Sequence, residues 1–351
     1  MKLTLNGTEV QACEGETLLD VCRREGLDVP TLCQEDRVDP MGSCRMCLVE
    51  VEGQRRLQPS CAFKAEEGQV VHSENDRVKR HRAMLLSMYL SDHELDEDGL
   101  PRERGTGNRL REQVLKHGTG PKLPAVEAPR TYRLDNNPYV HFDPEACVLC
   151  NLCVRYCDEV EAVSAITLKG RGAGTTIGTA DDKGLLDTSC ELCGGCIAVC
   201  PTGAMTEKAA LDSDWREEEV VRTTCNFCGV GCQLNLHVKD DKVVRVTSPE
   251  PGTTVNDGNL CVKGRFATEF INHEERLTQP LIRVDGKLVP TSWEHALEVA
   301  AKGLLSAKER HGADKVGFIS SSRCTGEENY LVQKLSRAAF GTNNCHQCAA
   351  T

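Results

Sequence analysis

The sequence predicts an α+β multidomain chain, and three observations carry that expectation. Sixteen of the 21 cysteines fall into four sets with short, regular gaps, which points to several small cysteine-built domains rather than one large core. An Asn-Gly pair, Asn6-Gly7, sits between two alternating apolar and polar segments, the strongest short-range signal for a β-hairpin. From Leu281 onward, strand-like and helix-like stretches alternate as they do at the start of a parallel α/β sheet.

Composition sets the limits. With 351 residues, two or three domains are expected, and 39% hydrophobic with 27% charged residues places the chain among globular proteins. Only 2 Trp, 5 Tyr and 7 Phe are present, so the cores must be small. Met1 to Val10 alternates like a strand and lacks the apolar stretch of a signal peptide, and no run approaches the roughly 18 apolar residues of a membrane span. The cysteines are therefore expected to be reduced metal ligands in the cytoplasm rather than disulfides. A net charge of -11 argues against nucleic acid as a partner and is read as solubility.

In chain order, the hairpin should pair Lys2–Leu5 with Glu9–Ala12, and Thr17–Arg24 reads as a helix with Leu18, Leu19, Val21 and Cys22 partly inward. Cys33-x10-Cys44-x2-Cys47-x13-Cys61 follows in glycine-containing loops. A Cys-x2-Cys pair flanked by two distant single cysteines is the logic of a plant-type [2Fe-2S] site, although the first gap exceeds the usual gap of about four residues. Zinc is the competing occupant. Gly42 and Ser43 would let the backbone wrap closely and donate N–H groups to sulfide.

Asp76–Leu90 carries Val78, His81, Met84, Leu85, Met88 and Tyr89 at helical spacing and should pack as a helix. Residues 91–138 read as a polar, Gly- and Pro-containing connector with one short helix near Asn108–Lys116, and His93 and His117 within it default to solvated histidines.

Cys147-x2-Cys150-x2-Cys153-x3-Cys157 and Cys190-x2-Cys193-x2-Cys196-x3-Cys200, the second followed by Pro201, share one spacing. This is the bacterial ferredoxin run, in which three close thiolates hold one cubane and the fourth reaches across to the other cluster. Cys147, Cys150 and Cys153 are thus expected to pair with Cys200, and Cys190, Cys193 and Cys196 with Cys157. Zinc suits such triplets poorly, because it takes four ligands, usually as two Cys-x2-Cys halves. Asp158 replaces the proline that often follows the fourth cysteine, which alters the turn and removes no ligand.

The fourth set is Cys225-x2-Cys228-x3-Cys232-x28-Cys261. Leu234–Val238 and Val243–Thr247 alternate around Asp240-Asp241 and should form a hairpin with the thiolates gathered at one end. Spacing alone leaves zinc or [4Fe-4S]; the neighbouring sets favour a cubane. Beyond Leu281 the expectation is a strand pair around Asp285-Gly286, a helix over Trp293–Ala307, a strand at Lys315–Ser320 and a helix from about Glu327 to Phe340. That leaves about one parallel strand, with Val316, Phe318, Ile319, Leu331 and Leu335 turned to water. Cys13, Cys22 and Cys324 are expected to be packed thiols, and Cys345-x2-Cys348 an incidental pair.

The order of these sets, the run Cys261-Val262-Lys263-Gly264-Arg265-Phe266, the stretch Arg276-Leu277-Thr278-Gln279-Pro280-Leu281-Ile282-Arg283 and Arg323-Cys324-Thr325-Gly326-Glu327-Glu328-Asn329-Tyr330 resemble the N-terminal part of the large subunit of cytoplasmic, NAD-linked molybdenum or tungsten formate dehydrogenases. That family is itself related to the large iron-sulfur subunit of complex I. The resemblance implies a β-grasp [2Fe-2S] ferredoxin domain over residues 1–75 and a helix and connector over 76–138. It further implies a double [4Fe-4S] ferredoxin domain over 139–215, a molybdopterin oxidoreductase [4Fe-4S] domain over 220–270 and the incomplete start of a molybdopterin-binding α/β domain over 271–351. One [2Fe-2S] and three [4Fe-4S] clusters are implied, with a bis-molybdopterin guanine dinucleotide carrying Mo or W in the full enzyme only. Lys263 would lie between the last cubane and the pterin, and electrons from formate would pass to an NAD-reducing flavin partner.

Two departures stand out. His93 matches a histidine that in the family joins three cysteines on a further cluster, but residues 94–117 contain no cysteine, so that cluster is expected to be missing. The sequence stops at Thr351, one residue before the place where the resemblance puts a metal-ligating selenocysteine or cysteine, so no catalytic residue is expected in this chain and it should be inactive alone. The competing class is a stand-alone iron-sulfur electron-transfer subunit of a hydrogenase or another dehydrogenase.

Overall fold

A computed structural model describes residues 1–103, 107–126, 130, 136–211 and 219–348. The end of the connector, the close of the expected 139–215 domain and the ending Ala349–Thr351 lie partly or wholly outside the described residues. The chain divides into two compact units, Met1–Glu218 and Glu219–Thr351.

In the first unit, β1 (Lys2–Leu5) and β2 (Thr8–Gln11) pair antiparallel with Leu5 opposite Thr8, and Asn6 and Gly7 take φ of 51° and 86°, the turn that follows strand twist. α1 (Leu18–Arg24) opens with a reciprocal cap: Asp20 N–H donates to Thr17 Oγ1 at 3.2 Å and Thr17 N–H to the Asp20 carboxylate at 2.8 Å. With β3 (Leu48–Val51), β4 (Gln58–Pro59) and β5 (Val70–His72) the strands form one sheet in the order β2-β1-β5-β3-β4, with β1 and β5 parallel. Leu3, Leu5, Leu18, Leu19, Val49 and Val71 fill the core beneath α1, and Cys47 and Cys61 belong to the same cluster. This is the expected β-grasp arrangement.

α2 (Asp76–Leu90) forms over the predicted residues, capped by Asn75, but its inward face is turned. Val78, Arg82, Leu86 and Ser87 are buried, His81 is exposed, and Met84 and Met88 stand out at 40% and 56% exposure. The reason is Arg82: its guanidinium enters between Val78 and Leu86 at helical spacing and donates to Glu74 at 3.2 Å and to the Ser73 carbonyl at 3.4 Å. α3 (Arg109–His117) begins at the cap Asn108, whose side chain accepts from the Leu110 and Arg111 N–H groups. The connector histidines are only partly solvated. His93 and His117 are half-buried, and burial holds the His117 imidazole below its ordinary range.

The paired cysteine runs fold as a repeat. β6 (Val140–Phe142), α4 (Leu152–Arg155), β7 (Thr167–Lys169), β8 (Thr176–Gly178), α5 (Gly195–Ala198) and β9 (Met205–Glu207) follow in order, and β6 pairs with β9. Leu149 and Leu192 take φ of 53° and 55°, and Asn151 and Gly194 take 64° and 71°, so the two loops turn identically around their second cysteines. Tyr156 is buried against α5, where a Cβ on Gly195 would lie 1.8 Å from its ring.

The second unit opens with an unexpected strand. β10 (Glu219–Thr224) joins β11 (Gln233–Lys239) and β12 (Lys242–Thr247) in an antiparallel sheet, with Asp240 and Asp241 at φ of 51° and 58° in the predicted turn. Every residue of β10 is exposed, so it carries no burial alternation to announce it. α6 (Val262–Phe266) and α7 (Glu269–Asn272) follow, then the hairpin of β13 (Leu281–Val284) and β14 (Lys287–Pro290) around Asp285-Gly286. α8 (Trp293–His311) runs one turn past the predicted end, and β15 (Phe318–Ser321) starts late because residues 313–315 form a helical turn. After α9 (Gly326–Leu335), β16 (Cys345–Cys348) pairs parallel with β15, Phe318 opposite Cys345.

A parallel pair therefore stands where about one strand was expected, and Cys345 and Cys348 are strand residues. Ile319, Leu331 and Leu335 are exposed at 77%, 58% and 48% as expected, whereas Val316 is buried and Phe318 is half-buried with its ring 5.1 Å from that of Phe340. Of the spare thiols, Cys22 is buried, Cys324 is half-buried and Cys13 is exposed rather than packed.

The close packing of α5 on Tyr156 is directly testable. Gly195→Ala should destabilise the first unit by about 1–3 kcal/mol through overpacking, read as a lower denaturation midpoint, and Tyr156→Leu in the same chain should restore much of it.

Candidate iron-sulfur centres

The four sets of thiols are gathered by different local devices. In the first, Cys33, Cys44, Cys47 and Cys61 are 3% exposed or less. Gly42 and Arg45 in left-handed conformations wrap the loop around them. The Cys44 N–H donates to Cys33 Sγ at 3.3 Å and the Leu32 N–H to Cys44 Sγ at 3.4 Å, while Cys47 and Cys61 lie Sγ to Sγ at 3.4 Å. Within each pair one thiol is pushed down by the hydrogen bond from its neighbour, Cys33 from Cys44 and Cys47 from Cys61, and the donor is pushed up. Ser43 and Cys44 backbone N–H groups and the Arg155 charge add to the effect at Cys33. Thiols poised in this way suit a metal that takes thiolate.

In the double run the repeat extends to the sulfur contacts. The Leu149 N–H points to Cys147 Sγ and the Leu192 N–H to Cys190 Sγ, both at 3.4 Å; the Ala165 N–H reaches Cys157 Sγ at 3.3 Å and the Met205 N–H Cys200 Sγ at 3.4 Å. Burial pushes the Cys147 thiol up to about 12 and those of Cys150 and Cys153 well up, and the charge of Cys200 acts on all three. Cys190 is raised by burial and feels Cys157. Cys153 also feels Cys196, so the thiols of the two runs lie close to one another. Cys193 and Cys196 are half-buried beside them.

In the fourth set Cys225, Cys228, Cys232 and Cys261 ring a cavity of about 280 Å³ with Phe227, Leu260, Lys263 and Gly264. The Cys225 N–H donates to the Cys232 carbonyl at 2.7 Å, closing the loop, and Gly264 brings backbone close enough that a Cβ there would lie 3.6 Å from Cys225 Sγ. Burial raises Cys225 and Cys232, and Cys261, an exposed residue at the start of α6, acts electrostatically on both. A ring of four thiols around a void suits a polynuclear cluster.

Some groups the sequence pattern passed over lie against these thiols. Tyr89 Oη donates to the Cys44 carbonyl at 3.1 Å, and Arg130 donates to the Cys147 carbonyl at 2.6 Å. Arg155 donates to the Cys33 carbonyl at 2.8 Å and to that of Asp39. Its position inside the x3 gap before Cys157 was the one available signal.

Comparison with known proteins follows this layout. Residues 1–76 match the 2Fe-2S iron-sulfur cluster binding domain family, residues 137–206 the ferredoxin-like domain of NADH-quinone oxidoreductase subunit 3, residues 218–273 the molybdopterin oxidoreductase Fe4S4 domain and residues 276–351 the molybdopterin oxidoreductase family. This chain carries iron-sulfur cluster domains followed by molybdopterin oxidoreductase domains. Its relatives are diverse. The chain is 35% identical over 351 residues to the NADPH-Fe(3+) oxidoreductase subunit alpha of Geobacter sulfurreducens, with 98% of this chain and 40% of that protein covered. It is 36% identical over 355 residues to an NADH-quinone oxidoreductase subunit of Rhizobium meliloti, with coverage of 98% and 40%. A Bacillus subtilis protein assigned provisionally by its name to the formate dehydrogenases is 31% identical over 391 residues, covering 99% of this chain and 40% of that one. The chain thus spans about two fifths of these relatives. A crystal structure of an NAD+-reducing [NiFe]-hydrogenase superposes with a TM-score of 0.54 at 29% identity, covering 60% of this chain and 89% of that one. No helix among the described residues is long and apolar enough to cross a membrane.

His93 lines a cavity of about 270 Å³ with Cys44, Tyr89, Asp92, Arg130 and Cys147, and its Nε2 lies 3.4 Å from Asn108 Nδ2. Because no cysteine lies in residues 94–117, His93→Ala should leave iron content and the reduced EPR spectrum unchanged. Loss of one cubane signal in that variant would reveal a ligand from elsewhere.

Proposed function

We propose that this chain is the electron-relay portion of a formate dehydrogenase large subunit. In this reading Cys33, Cys44, Cys47 and Cys61 hold a [2Fe-2S] cluster. Cys147, Cys150 and Cys153 with Cys200, Cys190, Cys193 and Cys196 with Cys157, and the set Cys225, Cys228, Cys232 and Cys261 hold three [4Fe-4S] clusters. The domain division at 1–75, 76–138, 139–215, 220–270 and 271–351 belongs to the same reading. The observation that carries it is the cavity ringed by the Cys225 set and Lys263, standing ahead of a β15-α9-β16 crossover that matches the molybdopterin oxidoreductase family.

In the whole enzyme, a bis-molybdopterin guanine dinucleotide with Mo or W would supply the two-electron oxidation of formate to CO2. What this chain's residues contribute is binding and insulation. The N–H groups of Leu149, Leu192, Ala165 and Met205 donate to ligand sulfurs, which favours the reduced cluster. Apolar burial around Cys150 and Cys153 keeps water from the thiolates. Lys263, on the exposed side of α6 beside Cys261, would carry its charge between the last cubane and the pterin. A cytoplasmic, NAD-reducing flavin subunit is the partner that this relay would serve.

A second reading has support of its own. The hydrogenase structure is covered over 89% of its length, which favours an iron-sulfur subunit of a hydrogenase or another dehydrogenase.

Anaerobically loaded chain should contain about 14 iron atoms, counted from the ligand sets, and Cys228→Ser should lose about four of them. Zinc in place of iron would refute the Cys225 assignment. Dithionite should bleach the loaded 351 residues and formate should not. Protein isolated from its native source and identified by these residues should reduce dye with formate; reduction with hydrogen or NADH and not formate would establish the second reading.

A further inference from the structure

The segment that carries the first cubane's ligands is also bonded to the loop of the Cys33 set. The Glu159 carboxylate accepts from the Asp39 N–H at 2.8 Å, the Arg37 guanidinium lies 5.1 Å over the Tyr156 ring, and Asn151 Nδ2 reaches Met41 Sδ at 3.6 Å. Arg155 is the centre of this seam. It is 8% exposed, it donates to the carbonyls of Cys33 and Asp39, and among the described residues no carboxylate forms an ion pair with it. Its Nε is buried with no acceptor among those residues. A cation taken out of water with only neutral carbonyls for company is unfavourable unless an anion lies near. The Cys33 set, charged when it holds a cluster through four thiolates, is that anion, and the Arg155 guanidinium reaches the Cys33 carbonyl at 2.8 Å.

We propose that Arg155 is a positioning residue of the relay that sets the electron affinity of the [2Fe-2S] site and locks the 33–41 loop onto the Cys147–Cys157 segment. This rests on the assignment of Cys33, Cys44, Cys47 and Cys61 as cluster ligands. A fixed positive charge beside the site favours the state with one more electron, and a planar donor reaching two carbonyls holds the loop at one spacing. Lysine would supply the charge without the fork, and glutamine a hydrogen bond without the charge.

The test is an EPR-monitored redox titration of the anaerobically loaded full chain as wild type, Arg155→Gln and Arg155→Lys, with amide hydrogen exchange over residues 33–41. Arg155→Gln should lower the electron affinity of the [2Fe-2S] site about tenfold, ~59 mV for one electron, and leave the Cys225-set cubane unmoved. Arg155→Lys should keep the wild-type potential yet exchange faster in the loop. A fully loaded Arg155→Gln at the wild-type potential overturns the electrostatic role, and unchanged exchange in Arg155→Lys overturns the lock. If Arg155→Gln fails to load iron, Arg155→Lys decides alone: it must load and hold the potential, and a shifted potential there overturns the proposal. Absence of any [2Fe-2S] signal from wild-type protein would instead sink the ligand assignment beneath it.

Discussion

A thiol that is to bind iron must lose its proton, and several of the thiols grouped here sit where the loss is unfavourable. Burial pushes Cys147, Cys150 and Cys153 up, and it does the same to Cys190, Cys225 and Cys232. Such groups become stable anions only when a cation replaces the proton, or when N–H donors are aimed at the sulfur. Much of the local architecture answers that requirement. Left-handed residues at Leu149, Asn151, Leu192 and Gly194 bend two short loops so that backbone N–H groups face the cysteines they connect. The first set adds a second solution, in which the Cys44 backbone N–H faces Cys33 Sγ and the Cys47 and Cys61 sulfurs lie together inside a small apolar core.

Packing around these sites is economical because the chain has few large side chains to use. Tyr156 illustrates this. Its ring covers Gly195 at the start of α5, lies under the Arg37 guanidinium and follows directly on Arg155, so two adjacent residues tie the Cys33 loop to both halves of the repeat. Rigidity of that kind matters in an electron relay, where function depends on fixed spacing between centres more than on moving parts. The second unit is built differently. Its small core of Leu234, Val246 and Leu260 lies beside Cys225 and Cys232, while the helices α8 and α9 contain no buried residue.

The family resemblance and the geometry meet at different resolutions. The matches place iron-sulfur and molybdopterin oxidoreductase domains along the chain in order, yet the relatives include proteins named for NADPH, NADH and formate. Likeness over this stretch therefore does not single out one reaction.

By itself the sequence determined the features set by short spacing and local turn chemistry. These are the four cysteine sets, the Asn6-Gly7 and Asp240-Asp241 turns, the capped helix at Thr17, the helix after Asn75, and the repeated gap from which the crossed partnership of Cys200 and Cys157 is expected. Such features are local, so the residues that enforce them are adjacent in the chain. Only the tertiary structure decided which face of α2 turns inward, because Arg82 finds Glu74 and the Ser73 carbonyl outside the helix. It also paired β16 with β15 across α9, added β10 to a hairpin that gave no sign of needing it, and buried Arg155 against Cys33, 122 residues away. Those outcomes depend on partners outside the element concerned, some near and some far in sequence, and no periodicity within the element carries their identity.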